Sequence, residues 1–75
     1  MFKIDAIYDS LNNANIEGLK WAILSIKHVG RVEVSISKST VYIYSEKKKI
    51  REELLINAGN INNCSFRVIA ERTKI

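Results

Sequence analysis

The stretch Val32-Glu33-Val34-Ser35-Ile36-Ser37-Lys38-Ser39-Thr40-Val41-Tyr42-Ile43-Tyr44 decides the fold. Val32, Val34 and Ile36 alternate with Glu33, Ser35 and Ser37, and after Lys38-Ser39 the alternation resumes with Val41 and Ile43 against Thr40, Tyr42 and Tyr44. A period of two belongs to a strand with one buried face, because successive side chains leave a strand on opposite sides. β-Branched and aromatic residues suit such a pleated, half-buried surface. The stretch therefore predicts a β-hairpin. Its turn lacks Asn-Gly, so the turn type stays open.

Toward the N-terminus the period changes. Ile16, Leu19, Ile23 and Ile26 recur at spacings of three and four, with Ala22 at the margin, which keeps one apolar stripe on a helix running to about His28. Trp21 points almost directly away from that stripe and Leu24 lies well off it, so both are expected on the outer surface. Asp9-Ser10-Leu11-Asn12-Asn13-Ala14-Asn15 is rich in side chains that bond nearby backbone amides and reads as the turn that opens this helix. Before it, Phe2, Ile4 and Ala6 alternate with Lys3 and Asp5 as a first strand. Toward the C-terminus, Ser45 can cap a second helix with apolar positions Ile50, Leu54, Leu55 and Ala58, Ile56 falls off that stripe, and Gly59 supplies a left-handed end. A last strand follows the Asn60–Asn63 loop, with Cys64, Phe66, Val68 and Ala70 inward, Ser65, Arg67, Ile69 and Glu71 outward, and a frayed tail over Arg72–Ile75. The order strand, helix, strand, strand, helix, strand gives an α+β, ferredoxin-like βαββαβ domain over residues 1–75. It is a four-stranded antiparallel sheet with both helices on one face. No repeat or linker interrupts it.

Composition narrows the function classes. With 75 residues and 47% apolar content the chain suits one small two-layer domain, and its single cysteine cannot close a disulfide within the chain. No apolar run approaches the roughly 20 residues of a membrane span. The start Met1-Phe2-Lys3-Ile4-Asp5 lacks the basic-then-apolar pattern of a secretory leader, so a reducing, cytoplasmic setting is expected. The formal charge of +4 is partly concentrated in Lys47-Lys48-Lys49-Ile50-Arg51, directly before Glu52-Glu53. That run reads as a solvated helix start, and nucleic acid is not the expected partner. Catalysis is not expected either: His28 and Cys64 fall at opposite ends of the predicted domain and the carboxylates show no paired arrangement.

Taken together, Ile16, Leu19, Ala22, Ile23 and Ile26 followed by Val29-Gly30-Arg31-Val32-Glu33-Val34, then Thr40-Val41-Tyr42-Ile43 and Ala58-Gly59, resemble the heavy-metal-associated domain of copper chaperones and metal-ATPase N-terminal modules. The resemblance covers nearly the whole chain and rests on framework positions, so it implies a fold more than an activity. The family's Met-x-Cys-x-x-Cys metal loop would fall on Ser10, Asn12 and Asn15. Soft Cu(I) and borderline Zn(II) take sulfur or imidazole readily and amide oxygen poorly, so the resemblance implies a degenerate metal site and no cofactor. The remaining weak donors are Asp9, Asn12, Asn15 and Cys64, which the topology gathers at one end of the sheet, with His28 at the other. Acylphosphatases share the topology but depend on a Gly-rich loop with an Arg, and this loop has neither.

The uncovered sheet face is expected to carry Ile7, Tyr42, Tyr44 and Ile69 inside a rim of Arg31, Glu33, Arg67 and Glu71. An apolar centre with a charged rim is the anatomy of a modest protein interface, for a homodimer or a protein partner. Trp21 with Leu24 makes a second candidate surface. The expectation is thus a non-catalytic interaction or regulatory module, within or beside a metal-transport system by family resemblance alone. Two alternatives are residual metal binding through the 9–15 loop and Cys64, and single-stranded nucleic-acid binding on Tyr42, Tyr44, Lys3, Arg31 and Arg67. For the latter, residues 39–46 do not match the ribonucleoprotein octamer of RNA-recognition motifs.

Overall fold

A computed structural model describes all residues from Met1 to Ile75. The elements are β1 (Phe2–Asp9), α1 (Ile16–Leu24), β2 (Val29–Ser35), β3 (Thr40–Ser45), α2 (Glu52–Asn60) and β4 (Ser65–Lys74). They form one antiparallel sheet in the order β2-β3-β1-β4, the ferredoxin-like α+β arrangement expected. Alternation sets the core: β1 contributes Ile4, Ala6 and Tyr8, and β3 contributes Val41 and Ile43. These meet Val32 of β2, Leu19 and Ile23 of α1, and Leu55 and Ala58 of α2. No helix is long and apolar enough to cross a membrane.

The element ends depart from the expectations in several places. α1 stops at Leu24, short of His28. The Ser25 hydroxyl donates to the Ala22 carbonyl at 2.7 Å, and His28 takes a left-handed φ of 74°, which turns the chain into β2. Ile36 lies in the hairpin turn and is exposed, so the inward alternation of β2 stops at Val34. Ser45 ends β3 and caps no helix; it is buried, and its hydroxyl accepts the Lys47 amide at 3.0 Å. α2 begins only at Glu52 after an extended Arg51, so Lys47–Lys49 lie in the preceding loop and not on a helix. Gly59 sits inside the last turn of α2 with ordinary helical geometry, and the left-handed residue that follows is Asn63, φ 58°.

The largest correction concerns β4. Asp5 pairs with Glu71 and Ala6 with Ile69, which leaves Ala70 unpaired; Ile7 pairs with Val68 and Tyr8 with Phe66, which leaves Arg67 unpaired. Each extra residue exchanges the two faces of the strand beyond it. Ile69 therefore packs on the core opposite buried Ala6, while Val68 emerges beside Ile7 on the open face and Ala70 is exposed. The tail is no loose end either: Arg72, Thr73 and Lys74 pair with Ile4, Lys3 and Phe2, and the Ile75 amide donates to the Met1 carbonyl at 2.9 Å.

Candidate functional site

The loop between β1 and α1 is built on two asparagines. Asn12 Oδ1 accepts the amides of Ala14 and Asn15 at 2.8 and 3.1 Å, an Asx turn that starts the helix. The Asn15 side chain is buried; its Oδ1 accepts the Asn12 amide at 3.0 Å, and its Nδ2 donates to the carbonyls of Ser10 at 2.8 Å and Asn63 at 3.5 Å. Asn12 Nδ2 also donates to the Ser10 carbonyl, at 3.2 Å, and Ser10 itself has a left-handed φ of 68°. Both amides are thus engaged with backbone, and Asn15 ties the loop to the residue before Cys64.

The four weak donors come to one end of the sheet, with Asn15 bonded to Asn63 and Asp9 paired with Ser65 on either side of Cys64, but their side chains are engaged separately. The Asp9 carboxylate is paired with Arg67 at 2.6 Å in an exposed position. Cys64 is buried, its Sγ donating to the Gly59 carbonyl at 3.6 Å, and burial pushes its thiol pKa up, away from the thiolate a soft metal would take. No group of three or more His, Cys, Asp and Glu side chains is placed to hold a metal ion. His28 lies at the other end of the sheet, 3.8 Å from Glu46.

The open sheet face is laid out in rows by the strand pairing. Arg31, Tyr44, Lys3 and Thr73 form one row; Glu33, Tyr42, Asp5 and Glu71 the next; Ser35, Thr40, Ile7 and Val68 the third. Cations cover the tyrosine rings: Lys3 Nζ stands 4.7 Å from the Tyr42 centroid and Arg31 Cζ 4.9 Å from that of Tyr44. Arg31 also donates to Glu33 at 2.6 Å, which holds the Glu33 carboxyl below its usual range, and the Tyr44 hydroxyl donates to the same carboxylate at 3.3 Å. The apolar part differs in membership from what the sequence suggests, since Ile69 is turned inward and Val68 joins Ile7 in its place.

On the helix side Trp21 is 71% exposed, as its position opposite the stripe requires, but Leu24 is half-buried against the core. The expected Trp21 and Leu24 surface therefore reduces to Trp21. Sequence reasoning missed a groove of about 430 Å³ between the helices, lined by Ala22 and Ile26 from the α1 side and Leu54, Ala58 and Ile61 from the α2 side. The signal for it was Ile61, an isolated isoleucine within an Asn-rich loop.

No protein-family model matches the chain, and no curated protein gives a match. A solved structure described as "Crosstalk between Cu(I) and Zn(II) homeostasis" superposes with a TM-score of 0.70 at 13% identity, covering 88% of this chain and 96% of that one. At that identity the likeness establishes the fold, which is ferredoxin-like over most of both chains.

Proposed function

We propose that this chain is a non-catalytic, heavy-metal-associated-like domain whose metal loop has become an asparagine-braced turn, and that it works through protein contacts. The observation that carries this reading is the engagement of Asn12 and Asn15, at the two thiolate positions of the resemblance, in hydrogen bonds to Ser10, Ala14 and Asn63 backbone. Amide groups occupied in this way brace a loop and leave no soft donor set. The framework resemblance and the likeness to a structure described in terms of Cu(I) and Zn(II) homeostasis both support a setting in metal transport, with this domain regulating or docking and not carrying the ion.

The surface for such contacts is the open sheet face, with Ile7 and Val68 at one end and Tyr42 and Tyr44 at the other. Nucleic-acid binding is the weaker reading, because Lys3 and Arg31 already cover the rings on which bases would stack. The test is an equilibrium titration of reduced protein with Cu(I) and Zn(II), beside a titration with single-stranded RNA at two salt concentrations. The expected result is no metal affinity tighter than about micromolar, a scale of roughly 8 kcal/mol, and no salt-dependent RNA binding. Tight metal binding lost in Cys64→Ser, or RNA binding lost in Tyr42→Ala, would overturn the proposal in favour of the corresponding alternative.

A further inference from the structure

The strand order leaves two sheet edges, β2 and β4. The edge formed by β4 is broken by the unpaired Arg67 and Ala70, and bulges of this kind twist an edge away from pairing with another chain. β2 is protected much less. Its irregularity falls between Val29 and Arg31, and from Val32 to Ser35 it runs in step with Ile43 to Thr40 of β3. It contains no proline and no lysine, and a Cβ placed on Gly30 would meet nothing within 4 Å. A strand with an unblocked outer edge presents a row of backbone groups to any strand that can match it.

The side chains of β2 specify which strand matches. Arg31 and Glu33 lie on the same face, both exposed, on either side of the buried Val32. A two-fold axis through Val32 that pairs β2 antiparallel with a second copy sets Arg31 opposite Glu33 of the second copy and Glu33 opposite Arg31 of the second copy. The same register sets Val32 opposite its equivalent and Gly30 opposite Val34. The charge pattern is complementary to itself in this register, with opposite charges directly across the strand pair, where they stabilise pairing.

We propose that β2 is a homodimer edge, and that two copies join through it into one continuous eight-stranded sheet. The contact uses the sheet edge and stands apart from the open-face reading above, so either can fail without the other. A seven-residue edge pairing lies below the roughly 1,200 Å² of standard interfaces, so the dimer belongs to the weak, transient class.

The test is sedimentation equilibrium of the wild type, Arg31→Glu and Glu33→Arg, each alone and then as an equimolar mixture of the two variants. Alone, each variant brings like charges across the axis and should dimerise at least tenfold more weakly than the wild type. Mixed, they place two glutamates against two arginines and should form a heterodimer at least as tight as the wild-type dimer. A concentration series of the wild-type amide spectrum, with shifts confined to Val29–Ser35, reads the same contact without any substitution. A wild type that is monomeric to millimolar concentration, a dimer indifferent to both reversals, or a mixture that stays monomeric would each overturn the proposal.

Discussion

Gly59 shows how a single residue can satisfy one expectation and serve another purpose. Ala58-Gly59-Asn60 matches a left-handed helix end, yet Gly59 is helical, and a Cβ there would lie 2.7 Å from the Cys64 carbonyl oxygen and 2.9 Å from the Tyr8 ring. The need for glycine comes from close approach, and the atoms responsible belong to residues distant in sequence or still to follow, so no local pattern could reveal it. Helix propensity alone would favour alanine by about 1 kcal/mol. Gly59→Ala is instead expected to destabilise by about 2 kcal/mol or more, measured as a lowered urea midpoint. Tyr8, against the same turn, donates its hydroxyl to the Leu55 carbonyl at 2.7 Å inside the core, and Tyr8→Phe should cost about 1 kcal/mol at neutral pH. Burial, with the Cys64 group adding to it, raises the Tyr8 pKa, and burial raises that of Cys64. Both groups are neutral acids in the folded state that ionise more readily when unfolded. Their contribution is therefore fully present below the unfolded values of about 8.5 for cysteine and 10 for tyrosine, and it declines as pH rises through those values toward the higher folded ones. Urea midpoints from pH 7 to 11 should fall at the alkaline end, and the fall should be shallower in a Tyr8→Phe, Cys64→Ala variant.

Among the elements, those with one uninterrupted period were legible and the one that changes phase was not. Ile4 and Ala6 of β1 and Val41 and Ile43 of β3 are buried as their alternation predicts, and Leu19 and Ile23 of the α1 stripe are buried as spaced, whereas the buried Tyr8 and Thr40 fall outside that reading. β4 also reads as alternation, but its two bulges occur where β1 supplies one residue for two, and only the pairing shows that. A regular β4 would bury Val68 and expose Ile69; the structure does the reverse. Val68→Ser is accordingly expected to change stability by less than about 0.5 kcal/mol, while Ile69→Ser should cost about 2 kcal/mol, and denaturant curves of the two variants separate the registers. The second bulge also brings Arg72 to the inner side, opposite Ile4, where its Nε is buried without a hydrogen-bond partner. Methionine keeps the packing of the arginine stem without the buried, unpartnered Nε, so Arg72→Met should raise the thermal midpoint.

At the scale of the molecule, frame and site separate. The framework positions were readable because a two-layer fold imposes them on any sequence that adopts it, and the likeness in structure spans 88% of this chain at only 13% identity. In the reading proposed above, the sequence shows the loop only as Asn12 and Asn15 at the two thiol positions that the resemblance implies; what those asparagines do emerged from their hydrogen bonds to Ser10, Ala14 and Asn63. If the resemblance extends to the position of the loop, then restoring the thiols on this frame should restore the chemistry. Asn12→Cys with Asn15→Cys gives the Cys-x-x-Cys spacing at the start of α1. The double variant should be less stable than the wild type without metal, by about 1–3 kcal/mol, because the buried brackets made by Asn15 are lost. It should then take up one Cu(I) per chain in competition with a chelator, and the bound ion should recover the lost thermal stability by mass action. A folded double variant that takes up no Cu(I) would confine the likeness to the topology, and would mean that this loop diverged in backbone course as well as in its donors.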